Sequence, residues 1–270
     1  MATTLTRPGS GVARPSLQSP PSKHLAGVVG LAALVIAWQV VAMAAFGRHG
    51  LVPPPTTVLA QMAHDGWAFY WPNIKTTMSE AVVGWLWGNL AAIALALTLL
   101  ATPQLEKPLL NLGVTIYCLP IVAIGPVFDV VFGGAVPKEL LAAMAVFFTT
   151  LVGMVVGLKS AERASLDVVW AFGGNRLHQT VKVRLWSAIP SLFAALRIAA
   201  PAAVLGAIIG EYLGGSSGLG VAMINSEQSL QIARTWGIAL VATAVAALGY
   251  GITAGVERVI TPWAVRRNPR

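Results

Sequence analysis

Apolar residues along this chain gather in long blocks, and polar residues collect in the gaps between them. Six blocks have about the 20-residue length that carries a helix across a bilayer. They run 25–46, 81–101, 109–132, 140–158, 189–213 and 238–256. All are rich in Ala, Leu, Val and Gly, and all are too long and too uniform for the alternating segments of a membrane β-barrel, which run to about ten residues. The pattern predicts an all-α membrane protein of six transmembrane helices, with its membrane domain over 25–259. Residues 1–24 are rich in Pro, Ser, Thr and Gly without apolar periodicity and read as a disordered tail, and 260–270 form a second tail.

Between the first two blocks, Pro53-Pro54-Pro55 breaks helix, and Thr56 or Thr57 is placed to cap a short helix through Met62. Trp67, Phe69, Tyr70 and Trp71 have the make-up of an interfacial aromatic belt. Glycine pairs four apart recur within the blocks: Gly84 with Gly88, Gly153 with Gly157, Gly206 with Gly210, and Gly251 with Gly255. Such spacing lets helix backbones approach closely. Pro120 and Pro126 in the third block and Pro201 in the fifth mark kinks, which makes these two spans the candidates to line a pathway.

Composition agrees with a lipid solvent: 56% of residues are hydrophobic and 10% are charged, against about 25% charged in soluble domains. The basic residues orient the chain. Thirteen fall on the face that holds both termini: Arg7, Arg14, Lys23, Lys107, Lys159, Arg163, Arg176, Lys182, Arg184, Arg258, Arg266, Arg267 and Arg270. Four fall on the other: Arg48, Lys75, Lys138 and Arg234. The positive-inside bias puts both termini in the cytoplasm. The formal charge of +8 is therefore a topology signal and a contact to anionic lipid, and nucleic acid is not expected as a partner. Ala42-Met43-Ala44 resembles a cleavage site, but the run before it is about twice the length of a signal h-region and reads as an uncleaved first span.

Candidate chemistry is sparse. Cys118, the one cysteine, reads as a buried small hydrophobe; the four histidines lack metal-ligand spacing, and no phosphate-binding G-x-x-x-x-G-K-[ST] occurs. The sequence offers no catalytic constellation and implies no cofactor. Three ionisable residues lie in or near the spans. Asp129 and Glu211 fall near the external ends of spans three and five, where they either snorkel to the interface or serve a gate or pathway; Arg197 lies about two turns inside span five, in reach of a helix C-terminus or headgroups. An ion-coupled carrier using Asp129 or Glu211 is one reading these charges allow.

The polar, basic gap between spans four and five, 159–188, is the most informative stretch. Ser165 is placed as an N-cap, Leu166, Val169 and Trp170 form an apolar stripe, and Gly173-Gly174-Asn175 ends the first short helix. A second follows with Leu177, Val181 and Leu185 on one face, and Pro190 suits the first turn of span five. The segment predicts a helical elbow on the cytoplasmic surface.

That elbow resembles the EAA loop of bacterial ABC importer permeases, E-A-A-x3-G-x9-I-x-L-P. With the glycine on Gly173, Asp167-Val168-Val169 stands at E-A-A, Val183 at the isoleucine, Leu185 at the leucine, and Trp186 where proline is expected. "LVPPPTTVLAQM", "CLPIVAIGPVF", "FFTTLVGMVVGLKSAE", "AIPSLFAALRIA" and "GEYLGGSSGLG" are similar, in order, to the subgroup associated with nitrate, sulfonate, taurine and pyrimidine-precursor uptake. The resemblance implies a type I importer permease fold with a cytoplasmic coupling helix between spans four and five. Asp167, Val168, Val169, Trp170, Gly173, Gly174 and Arg176 would then contact an ATPase, while Pro120, Pro126, Asp129 and Glu211 are the pathway or gate candidates. Its implied partners are two P-loop ATPase subunits, a second identical permease chain and an external solute-binding protein, in the bacterial inner membrane.

Overall fold

The computed structural model describes residues 23–46 and 50–265, and all regular structure among them is helical. Helix α1 covers Lys23–Val41 and closes in a π-helical turn, Ala42–Phe46; α2 covers Pro55–Ala101. α3 (Glu106–Cys118) and α4 (Ile121–Phe132) meet at an 89° bend. α5 (Val136–Lys159) follows, then the short α6 (Arg163–Ala171) and α7 (Arg176–Gln179), a π turn at Thr180–Arg184 and the long α8 (Leu185–Gly214). α9 (Leu219–Gln228), α10 (Ile232–Ile260) and α11 (Pro262–Val265) complete the chain. Five of these stretches are long and apolar enough to cross a membrane, and the bent α3–α4 pair makes the sixth.

The helices depart from the apolar blocks in instructive ways. α2 begins 26 residues before its block at Ala81, with one backbone break at Gly66 (φ 69°) and Pro72 inside it. Neither Thr56 nor Thr57 caps it: the N-cap is Pro54, and the Thr56 amide instead donates to Gln39 Oε1 of α1. Pro120 sits at the bend itself, where the missing N–H ends α3 and an extended backbone (ψ 108°) turns the chain before α4 starts. Pro190 and Pro201 both lie inside α8, so Pro190 is not at its first turn. Most of the N-terminal tail and residues 266–270 lie outside the described residues, although Lys23 and His24 already belong to α1 and 262–265 form α11.

Lipid tails are as apolar as Leu, so these helices associate through close packing rather than removal from water. α5 sits at the centre, packed most extensively against α8 and α2. Three of the four glycine pairs lie at these contacts. A β-carbon on Gly88 would fall 2.5 Å from the Ala143 carbonyl oxygen of α5, one on Gly157 2.8 Å from the Ala188 Cα of α8, and one on Gly206 2.7 Å from the Ala142 Cα. Gly251 and Gly255 on α10 face open space. The interior is accordingly built from small residues, with Ala81, Ala142, Val146, Ala199, Ala203 and Ala207 where α2, α5, α8 and α10 converge.

The aromatic cluster divides. Trp67 and Trp71 are exposed and stacked on each other, whereas Tyr70 is buried against Leu219 and Ile238, so it is packing rather than belt. Cys118, expected to be buried, is exposed at the α3–α4 bend. Arg197 reaches the C-terminal end of α10, where it pairs with Glu257 in the last turn at 3.2 Å and lies over the Tyr250 ring.

Candidate functional site

Two polar assemblies flank α8, one at each end of a 30-residue helix about 45 Å long. At its N-terminal end is the elbow. Its first arm, α6, has Glu162 rather than Ser165 at the N-cap position. The arm ends where the Gly174 amide donates to the Val169 carbonyl and the Gly173 amide to that of Trp170, both at 2.9 Å. Gly173 holds φ +76°, a left-handed conformation that a side chain with a β-carbon resists.

Asn175 then starts the second arm. Its side chain accepts from the His178 amide at 3.0 Å, and the His178 ring reaches back to Asn175 in a reciprocal capping box. Gln179 fixes the angle between the arms by donating from Nε2 to the Leu166 carbonyl at 3.1 Å. α6 and α7 contain no buried residue. Leu166 and Val169 are half-covered, while Val168, Trp170 (65% exposed) and Phe172 (89%) stand in the open. This is a hydrogen-bonded hairpin with an uncovered apolar tip, and contiguous exposed apolar side chains of this kind are characteristic of contact surfaces.

At the other end of α8, the chain turns through Gly214–Gly218 into α9. The first amides of a helix have no partner within it, and here side chains of two other helices supply acceptors. Glu211 Oε2 accepts from the Gly220 amide at 2.7 Å, Thr77 Oγ1 from Leu219 at 2.9 Å, and Asn73 Oδ1 from Gly218 at 3.3 Å. Glu211 is 1% exposed and does not snorkel. Glu80 is also buried, and Glu80 Oε2 and Glu211 Oε1 lack hydrogen-bond partners among the described residues.

Asp129 belongs to the same end. It accepts from Lys138 Nζ at 2.8 Å, and the same ammonium donates to the carbonyls of Gly134 and Gly214 at 2.9 Å each. Lys138 is only 4% exposed, so this residue, counted above as an external surface charge, is a fully engaged clamp joining α4, α5 and the end of α8. The two acids singled out in the sequence thus both lie at this end of α8, Asp129 against Gly214 and Glu211 against Gly218 and Gly220, while Pro120 and Pro126 lie in the bent α3–α4 pair. Glu80, Lys138, Thr77, Asn73 and Gln179 are the residues that sequence reasoning missed. For Glu80 a signal existed: it directly precedes an apolar block, where an acid belongs to water unless another element covers it.

A bundle of membrane-crossing helices with a projecting helical elbow between two spans is the architecture of an ABC-type permease. The chain belongs to the family of the binding-protein-dependent transport system inner membrane component, whose pattern matches residues 81–266. It is similar to a probable ABC transporter permease protein of Haemophilus influenzae, 32% identical over 206 residues that cover 76% of this chain and 83% of that protein. The riboflavin transport system permease protein RibX of Chloroflexus aurantiacus is 29% identical across 87% of this chain and 88% of its own. The formylaminopyrimidine transport permease protein ThiX of Halalkalibacterium halodurans is 24% identical across 85% and 92%.

Proposed function

We propose that this protein is the membrane-spanning subunit of an ATP-driven importer. It passes a small polar or anionic organic solute, of the sulfonate, taurine or nitrate kind or a pyrimidine precursor, from an external solute-binding protein to the cytoplasm. The carrying observation is the elbow: a hydrogen-bonded hairpin that buries nothing of itself yet exposes Val168, Trp170 and Phe172. Two P-loop ATPase subunits dock on this tip and on that of a second, identical permease chain, with Asp167, Val168, Val169, Trp170, Gly173, Gly174 and Arg176 in the contact. ATP-driven closure of the ATPase pair moves both elbows, a two-state element biased by a partner. Since the elbow is continuous with α8 through the Thr180–Arg184 turn, its movement reaches the Glu211 junction at the far end. Asp129 and Glu211 act there as parts of a gate, and the bent pair containing Pro120 and Pro126 lines the path. The permease domain is 25–259, both termini are cytoplasmic, and the membrane is the bacterial inner membrane.

The test is extraction of the tagged chain from its host's membranes in mild detergent, with co-purifying proteins quantified by mass spectrometry. A P-loop ATPase at one copy per permease is expected, and Gly173→Val keeps the chain in the membrane while losing the ATPase. Recovery of the ATPase at wild-type level with Gly173→Val, or uptake abolished by an uncoupler but not by ATP depletion, overturns the proposal.

A further inference from the structure

One cavity lies behind the elbow, sharing only Arg176 with the proposed ATPase contact and nothing with the Glu211 junction. A space of about 360 Å³ opens where the last turns of α2 and α5 meet the segment Arg176–Arg184. One wall is apolar, formed by residues such as Leu99, Leu100 and Val155, and the facing wall carries Lys159, Arg176 and Arg184. Among the described residues no carboxylate lines it, and neither arginine has a side-chain hydrogen bond or ion pair. The apolar wall leads outward along α5. Val152, Val155, Val156 and Lys159 share one helix face at i, i+3, i+4 and i+7, and Val152 and Val156 are exposed.

We propose that this cavity binds one anionic phospholipid, its phosphate held by Arg176 and Arg184 and an acyl chain laid along the α5 valine strip. Guanidinium groups match phosphate with paired N–H donors. A soluble phosphate ester would satisfy the cations but leave the apolar wall and strip uncovered, which favours the amphipathic ligand. Basic pockets between membrane helices take lipid headgroups by this physics. Arg176 opens α7, and Gln179 ties α7 to α6, so an occupant braces the elbow from the membrane side.

The experiment is native mass spectrometry of the purified full chain, titrated with phosphatidylglycerol or with phosphatidylcholine of the same acyl chains. Wild type should hold phosphatidylglycerol in preference to phosphatidylcholine. Arg184→Gln should weaken phosphatidylglycerol about fivefold and leave phosphatidylcholine unchanged, while Arg184→Lys retains the preference. Arg258→Gln, the same charge change at the end of α10, should have no effect. Equal weakening by Arg184→Gln and Arg258→Gln reduces the effect to net charge and overturns the proposal. Displacement of the lipid by millimolar glycerol 3-phosphate makes it a soluble-anion site, and a wild type that binds both lipids alike overturns it even if Arg184→Gln aggregates. None of these readouts requires the ATPase, so they stand or fall apart from the transport proposal.

Discussion

Glu211 illustrates what a buried acid does when no water reaches it. The Gly220 amide depends on its Oε2, and a buried N–H left without an acceptor costs about 1–3 kcal/mol. Glu211→Leu should therefore destabilise the detergent-solubilised protein by that order, read as a lower melting midpoint, whereas Glu211→Gln keeps an acceptor oxygen and should melt close to wild type. Equal melting of the two variants would remove the anchoring role. Gly218 is the tighter constraint: it holds φ +114°, and a β-carbon there would lie 2.2 Å from the Glu211 carboxyl. Gly218→Ala should cost on the order of 2 kcal/mol of backbone strain and expose the 214–220 turn to protease, and an unchanged cleavage pattern would contradict this. The sequence marked Asp129 and Glu211 because charge at bilayer depth is expensive. It did not yield their surroundings: Lys138 lies just before an apolar block, where a charge needs no explanation, and Glu80, although its place before a block is a signal, does not say which helix covers it. Only the packing of α2, α5 and α8 shows that other helices cover them.

At the scale of elements, apolar block length revealed the spans because the bilayer imposes it, but the helices ignore the block ends. α2 continues through a polar stretch because its buried residues there, Val58 and Tyr70, pack away from lipid, Tyr70 against α9 and α10. The elbow was legible as two helices from its glycines and Asn175, yet its angle was not, since it rests on one long-range bond from Gln179 to Leu166. Glycine pairs were equally ambiguous in sequence, and the structure separates them. Gly88→Leu drives a side chain into the α5 backbone and should destabilise by at least the 1–3 kcal/mol typical of overpacking, which size-exclusion chromatography should register as aggregation. Gly255→Leu meets nothing within 4 Å and should run as a monodisperse peak. A reversal of the two outcomes would mean that α2 and α5 are not packed as described.

For the whole molecule, the decisive quantity is which face carries the elbow. Ser165 on α6 and Ser229 after α9 are both exposed, and they lie beyond opposite ends of α8, Ser165 in the elbow that leads into it and Ser229 after the α9 that follows it. In the proposed topology, which the distribution of basic residues, thirteen against four, favours, the elbow faces the cytoplasm, where ATP is available, and the Glu211 junction faces outside, where a binding protein would deliver solute. Cys118 is exposed and is the one cysteine, so Cys118→Ser gives a clean background for labelling. With a membrane-impermeant maleimide, Ser229→Cys should react in intact spheroplasts and Ser165→Cys only in inverted vesicles. The opposite pattern would turn the elbow away from any ATPase and reverse the direction of transport inferred from it. Labelling of both sites from one side would mean an even number of crossings between them, or none, and α8 would then not be a single span separating the elbow from the Glu211 junction.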